Sequence, residues 1–549
     1  MSYDAYRVFA AIDFGTTFSG FAYAHKSNPK EIVAHDDWQD FTGRFKTPTV
    51  IKYDESFNLK SWGFPALAER PNKKKKSSNV KPVERFKLHL GKMENNKSPP
   101  QLPKGLEFKK AITDYLREMG EVMKETFKIR WQNLEFYNQV LIVMTVPAEF
   151  DNKAIEIMRE CAFKASLIDD KNSRNLKFTT EPEAAAIHCM KVLKEHDVGV
   201  GSTFMVVDCG GGTVDLTTRK LLEAEKLSEI TERKGEFCGG SYVDEEFLKF
   251  LGRKVGKNAI KMLTDNYYSQ LQYMVQEFCR RVKIPFTGQQ KDFTPYDLDL
   301  EELCPIVKQY VKGTELDMME DAEWCIELKF EDVKSMFDPV IAQIIRLIRD
   351  QLTANNNCAT MLLVGGFSES KYLQTRIKQE FNKIVKNISV PTHPMTAIVK
   401  GAVQFGLKPT IVATRVLKWT YGTDVARRWR KGDPASRKLP GGKIIEFSKL
   451  AKRGTETPVD SVVQTIFSPG HMLQEKMGLD MYYTDKNDAK FCDSPGVKLL
   501  GNWCIDIPIT FNDERVVLFA LTFGEIEINA TAINVETGGK YETTFELDI

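Results

Sequence analysis

The chain has 549 residues and a mass of 62.6 kDa, enough for roughly two to four domains whose buried cores need no disulfide staples. Lysine and arginine number 77 against 75 aspartates and glutamates, a net charge of +2, so no bulk attraction to nucleic acid or to an anionic membrane is expected. A hydrophobic content of 42% and a charged content of 28% exclude a fibre, a disulfide scaffold and long disorder.

In chain order, the first element is a buried strand that runs into a glycine turn, RVFAAIDFGTTFSG at residues 7–20. Helical patterns follow at 108–127, at 151–166 with Asp151 as N-cap, and at 183–195; a strand, QVLIVMTVP at 139–147, precedes the second of these. A second strand and turn, TFMVVDCGGGTVDLTT, occupies 203–218, and a third, TMLLVGGFSES, occupies 360–370. The first two are built alike, with an aspartate at the strand end, x-Gly, a threonine and then a further strand. Helices are predicted at 241–251, 265–281 and 330–352, so residues 1 to about 408 alternate strands and helices as an α/β architecture does. Beyond residue 410 short alternating runs such as SVVQTIF, NWCIDIPITF, RVVLFALTF and GEIEINATAINV predict an all-β unit, with no long helical segment after it. The basic run Lys73–Lys76 reads as a solvated loop before it reads as a localisation signal.

Ten cysteines, among them Cys161, Cys189, Cys209, Cys238 and Cys492, form no Cys-x-x-Cys pair and no metal-spaced cluster, which points to reduced thiols in the cytosol, with the nucleus as the alternative. The segment Met1–Arg7 is polar and no apolar stretch is long enough to span a membrane.

A strand followed by Asp-x-Gly-Thr exposes successive backbone N–H groups with no bulky Cβ in the way, a concavity suited to phosphate oxygens. One such turn is more often only a turn; two of them can grip one triphosphate. Each supplies a carboxylate at the mouth of the grip, Asp13 and Asp208, where Mg²⁺ would sit among its waters. The natural ligand is Mg·ATP, and the turn Gly365-Gly366-Phe367 would add contacts to the α-phosphate, ribose or base.

These motifs resemble the actin-like ATPase superfamily and, within it, the 70-kDa heat-shock protein family, over essentially the whole chain. Asp13-Phe14-Gly15-Thr16-Thr17 resembles the first phosphate loop, Asp208 to Asp215 the second, and Thr145 to Phe150 the switch-proline segment. Glu181 to Ala186 and Lys400 to Val403 resemble the two connecting helices, and Gly365 to Ser368 the adenosine turn. GGFSES and Thr420-Tyr421-Gly422 point to the divergent heat shock 70 kDa protein 12-like branch. The resemblance implies a two-lobed ATPase of duplicated ribonuclease H-like domains over 1–408, with lobe I about 1–190 and lobe II about 191–408. A short β-sandwich resembling the family's substrate domain, without a helical lid, would follow over 409–549.

The same resemblance assigns roles. Lys87 matches the lysine that orients the attacking water, Asp13 and Asp208 would hold the Mg²⁺ shell, and Glu181 and Asp215 would order the metal and its waters. Gly15, Thr16, Thr17, Phe18, Gly210, Gly211, Gly212 and Thr213 would line the phosphates, with Gly239 and Gly240 on the opposite lobe. Glu277, Arg280 and Arg281 match the adenine clamp, with Arg280 in place of the usual lysine. Phe367 and Glu369 stand where the family has a small residue and a base-packing arginine, so Phe367 is the residue expected to stack in the arginine's stead. Ile155 replaces a relay arginine, and GLKPTIVATRVLKW replaces the acidic-leucine linker, so weaker coupling between nucleotide and sandwich is expected.

The implied function is a slow Mg·ATP hydrolase acting as a divergent chaperone or ATP-switched adaptor, with unfolded client proteins and co-chaperones as partners and no nucleic acid. The alternative is a nucleotide-responsive scaffold with negligible hydrolysis, its partners proteins or lipids. A small-molecule kinase would need a general-base aspartate near a sugar pocket, and nothing in the sequence marks one.

Overall fold

The computed structural model describes residues 5–38, 41–68, 70–71, 81–91, 99–147, 150–196, 198–230, 234–354, 358–417, 419–458, 461–468, 474–507, 515–522 and 529–544. The basic run Lys73–Lys76 and two residues of the switch-proline segment, Ala148 and Glu149, lie outside the described residues. The protein is a mixed α/β chain with several sheets. It divides into two compact units, one of Met1–Phe150, Ile157–Thr218 and Arg233–Pro409, the other of Asp151–Glu156, Arg219–Glu232 and Thr410–Ile549.

In the first unit, the strand Val8–Phe14 lies between Val140–Val146, parallel to it, and Phe18–His25, antiparallel to it. Every residue of Val8–Phe14 and of Val140–Val146 is buried, which is why both read as unbroken apolar runs. The register sets Asp13 opposite Thr145 on one side and Gly20 on the other. A second sheet repeats the plan: Thr203–Cys209 runs parallel to Thr360–Val364, with Asp208 opposite Val364, and the chain returns in the strand that begins at Val214. Both strand-turn-strand units expected from the sequence are therefore present.

The helix Glu181–Glu195 starts where its chemistry says it should. Thr180 accepts from the Glu183 amide, the Glu183 carboxylate reaches back to the Thr180 amide, and Pro182 occupies the first turn. It crosses the helix Ala397–Leu407 so closely that a Cβ on Gly401 would lie 1.7 Å from the Ala184 carbonyl oxygen. Backbone cannot yield at that point, so Gly401→Ala should cost about 1–3 kcal/mol by overpacking, read as a lower urea midpoint at unchanged slope.

Asp151 accepts from the Ala154 amide at 3.1 Å and starts the helix Asn152–Lys164, as its N-cap reading requires. The single helix expected over 265–281 is instead broken at Tyr267, which leaves the helical region (φ −136°) between Lys257–Asn266 and Tyr268–Phe278. The Tyr267 and Tyr310 hydroxyls lie 3.2 Å apart. The second of these helices then widens into a π-turn, Cys279–Lys283. Phe247 and Phe278 stack at 3.9 Å in the core that these helices share with Phe337 and Phe367.

The second unit is β-rich. Thr420–Arg428 pairs with Lys443–Ala451 and Lys476–Thr484, and the latter pairs with Lys498–Asp506. Another four-stranded antiparallel sheet takes Val462–Phe467, Val517–Thr522, Asn529–Asn534 and Lys540–Thr544 in that order. Val517, Phe519 and Leu521 alternate inward, as a half-buried strand demands, and join Leu479 and Met481 in one apolar cluster. The fully buried ion pair Arg219–Glu229, 3.3 Å, belongs to this unit, and Glu229 also accepts from the Val416 amide at 3.0 Å. Among the described residues no helix is long and apolar enough to cross a membrane.

Candidate functional site

The site lies within the first unit, where the two glycine turns face each other. A Cβ on Gly211 would fall 2.0 Å from Thr17 Oγ1, and one on Gly212 would fall 3.2 Å from Thr16 Cβ. The contact works only because the second turn has no side chains there. The loop Gly239–Ser241 fastens the back of that turn: the amides of Gly239, Gly240 and Ser241 donate to the carbonyls of Gly212, Gly210 and Gly211 at 3.2, 3.0 and 2.8 Å. The Gly210 amide closes the turn on the Thr213 carbonyl. With those carbonyls tied back, the amides of Gly211, Gly212 and Thr213 have no protein acceptor among the described residues, and the same holds for Thr16 and Thr17. The Gly15 amide, by contrast, donates to Ser19 Oγ at 3.1 Å, and its carbonyl accepts from Thr49 Oγ1 at 2.8 Å, so this glycine shapes the turn. Phe18, 37% exposed, opens the return strand.

Four carboxylates converge beneath the turns. Glu181, Asp208 and Asp215 each bring an oxygen to within 4.8 Å of the other two, all three residues being buried. Asp13 is buried beside them, its Oδ2 2.6 Å from Lys46 Nζ. Lys87, 3% exposed on the short 3₁₀ helix Phe86–Leu90, donates to Glu181 Oε1 at 2.8 Å and to the Phe14 carbonyl. That helix is set by Arg85, held in the left-handed region (φ 55°) and paired with Glu245 at 3.0 Å.

Four carboxylates against two ammoniums leave an excess of negative charge away from water. Burial, then Glu181, pushes the Asp208 carboxyl up to about 8. Burial also raises Glu181, against the pull of Lys87. Burial works against the Lys46 ammonium, but Asp13, Asp208 and Glu181 outweigh it and hold its pKa above the ordinary value. Asp208 Oδ1 is buried and has no hydrogen-bond partner among the described residues. An orphaned carboxylate oxygen, a cluster of hard oxygen donors and an amide-lined glycine cradle are what a divalent cation and a polyphosphate need, so the residues fit Mg·ATP.

The third turn closes against the same carboxylate. Gly365 has φ +84°, and a Cβ there would lie 2.3 Å from Asp208 Oδ1 and 2.5 Å from the Cys209 carbonyl oxygen. Gly366 begins the 3₁₀ helix that follows, and Phe367 turns into the core, its ring 6.2 Å from that of Phe337 and its edge against Gly240. Glu277 pairs with Arg280 at 2.6 Å and Arg281 at 3.8 Å; both arginines are half exposed.

Two residues of this assembly have no mark in the sequence. Lys46 approaches Asp13 from a segment of no recognisable motif; the only hint is Gly20, opposite Asp13, where a Cβ would strike the Phe45 carbonyl and Lys46. Lys283 donates to the Gly240 carbonyl at 2.7 Å and to Asp244 at 2.6 Å and lies 6.0 Å from the Phe367 ring centre. It ties the helix of Glu277 to the turn of Gly239 and Gly240.

No family model matches the chain. It is 26% identical to Heat shock 70 kDa protein 12A of Homo sapiens, an alignment covering 97% of this chain and 90% of that protein. With Heat shock 70 kDa protein 12B of Homo sapiens it shares 24% identity at the same coverage. Chaperone protein HscA of Buchnera aphidicola subsp. Schizaphis graminum is 24% identical over 60% of this chain and 52% of its own length. Along nearly its whole length, then, the chain is similar to the 12A and 12B heat shock 70 kDa proteins, and over part of it to the chaperone protein HscA.

Proposed function

We propose that the chain is a two-lobed actin-like ATPase, over 1–408, joined to a β-sandwich over 409–549, which binds Mg·ATP, hydrolyses it slowly and acts as a divergent chaperone or ATP-switched adaptor. The observation that carries this reading is the meeting of the two glycine-threonine turns above the Glu181, Asp208 and Asp215 carboxylates. In this reading Asp208, with Glu181 and Asp215, holds Mg²⁺ and its waters, and Asp13 serves the same shell while anchored by Lys46. When bound, Mg²⁺ neutralises charge on the phosphate oxygens and orders water around them.

The remaining work falls to the chain's own groups. The amides of Thr16, Thr17, Gly211, Gly212 and Thr213 donate to phosphate oxygens; the Thr213 and Thr16 hydroxyls do the same at the γ-phosphate. Lys87 holds the attacking water in line and stabilises charge that develops there, positioned by Glu181 and the Phe14 carbonyl. Gly239 and Gly240 back the phosphates, while Glu277, Arg280, Arg281, Gly365 and Gly366 border the nucleoside. Clients are unfolded segments bound by the sandwich, in a cytosolic setting.

Single-turnover hydrolysis of Mg·ATP by the full chain tests this. Slow, complete conversion of bound ATP to ADP and phosphate is expected. Tight binding with no conversion over hours would instead support the nucleotide-responsive scaffold.

A further inference from the structure

The net charge of +2 conceals one strongly basic arm. The strands Thr420–Arg428 and Lys443–Ala451 of the second unit are joined by a fourteen-residue connection, residues 429–442. Between Arg427 and Lys443 the sequence RRWRKGDPASRKLPGGK carries seven cations and one carboxylate, Asp433. Two of the cations are ion-paired. Arg427 grips Asp433 with both terminal nitrogens, at 2.7 and 2.9 Å, and Glu446 with its Nε at 2.6 Å; Arg437 pairs with Asp493 at 2.9 Å and lies over the Phe491 ring. The other five, Arg428, Arg430, Lys431, Lys438 and Lys443, are exposed and have no carboxylate partner among the described residues.

The arm is held in shape. Asp433 also accepts from the Arg430 amide at 2.7 Å, fixing a turn at Gly432 (φ +109°), and Gly441 and Gly442 (φ +79° and +68°) make a second turn closed by the Leu439 amide on the Lys443 carbonyl. Between the cations the arm shows an apolar group to solvent, Leu439, 40% exposed beside Pro440, and Ile445, just past Lys443 in the strand that follows, is 42% exposed. The Trp429 ring is half-buried, with the Lys438 ammonium 4.9 Å from its centre and its Nε1 donating to the Pro434 carbonyl at 3.3 Å.

We propose that this arm is a docking surface for an anionic lipid membrane. Two rigid turns present unpaired cations beside an exposed leucine and an amphipathic tryptophan, which suits a headgroup layer that offers negative charge above hydrocarbon. A nucleic-acid strand fits less well. Strand binding draws on successive aromatic platforms, and the sequence 427–443 has one aromatic residue, Trp429, with the Lys438 ammonium over one of its faces. Most of the free cations also crowd two turns, where an apolar side chain stands at the second.

The test is co-sedimentation of the full chain with phosphatidylserine–phosphatidylcholine vesicles and with pure phosphatidylcholine vesicles. Binding to the anionic vesicles alone is expected, weakening as salt is added. The triple variant Arg428→Ser, Arg430→Ser, Lys431→Ser should lower partitioning on the order of 100-fold, at an unchanged melting midpoint, because all three side chains are exposed. Replacing Arg428 and Arg430 by lysine should retain binding, and Leu439→Ser should weaken it about tenfold. Equal binding to neutral vesicles, no binding to either, or an unaffected triple variant overturns the proposal. Binding to a single-stranded oligonucleotide that the same triple variant abolishes, with no vesicle binding, overturns it in favour of nucleic acid.

Discussion

Lys87→Ala is expected to leave Mg·ATP affinity within a few-fold of wild type and to slow single-turnover hydrolysis by roughly 10²-fold or more. The ammonium is buried and already fixed by two acceptors, Glu181 Oε1 and the Phe14 carbonyl, so it needs no reorganisation to stabilise charge developing at the attacked phosphate, and loss of one such donor has about that effect. The amides that grip the phosphates belong to other segments and stay in place. The alanine variant also strips Glu181 of its counter-charge, so the nucleotide-free protein should melt lower, and saturating ADP should recover part of the loss. Quenched-flow measurement of ADP formation, beside calorimetric affinity, separates the two effects. An unchanged hydrolysis rate would remove Lys87 from the chemistry.

Asp208→Asn should have opposite effects on stability and on ligand binding. In the folded chain the Asp208 carboxyl is raised to about 8, by burial first and Glu181 second, whereas in the unfolded chain it titrates near its ordinary value. Such a group favours the folded state fully below the ordinary carboxyl range, and that support is lost as pH rises towards 8. The difference in unfolding free energy between Asp208→Asn and wild type should therefore grow in the variant's favour from pH 5 to pH 8, to on the order of a few kcal/mol, with the melting midpoint moving in the same direction. The same substitution removes one anionic oxygen donor from the Glu181, Asp208 and Asp215 cluster, so Mg²⁺-dependent ATP affinity should fall by at least about tenfold. Thermal melts across pH check the first, and calorimetric titration of ATP with and without Mg²⁺ checks the second. A variant less stable than wild type at pH 8 would contradict the excess of buried negative charge.

The parts of the site that are legible in the sequence are those written locally. A buried strand ending in Asp-x-Gly-Thr carries its own geometry, because the strand fixes the direction, the glycine the turn and the aspartate the charge. Asp13, Asp208 and the Gly210–Thr213 turn could therefore be placed without coordinates. Glu181 was reachable only through the resemblance of Glu181 to Ala186 to a connecting helix, since the local pattern starts the helix at Glu183 and the Thr180 cap is seen in the fold. Lys46 and Lys283 were not, since each reaches the site across a fold-dependent distance from a segment with no signature. Gly20 is a mark only once its register with Asp13 is known. The side-chain direction of Phe367 was equally closed to sequence, because core packing against Phe337 decides it. The basic arm was hidden by averaging, its charge balanced over a chain of near-zero net charge and its first turn set by the Arg427–Asp433–Glu446 network.

The central claim is that the opposed turns and the buried carboxylates form one Mg·ATP site. Isothermal titration of ATP into the full chain, in Mg²⁺ and then in excess EDTA, tests it most directly. One site per chain is predicted, at least about tenfold tighter with Mg²⁺ than without. No binding in either buffer, or the same affinity in both, would contradict it.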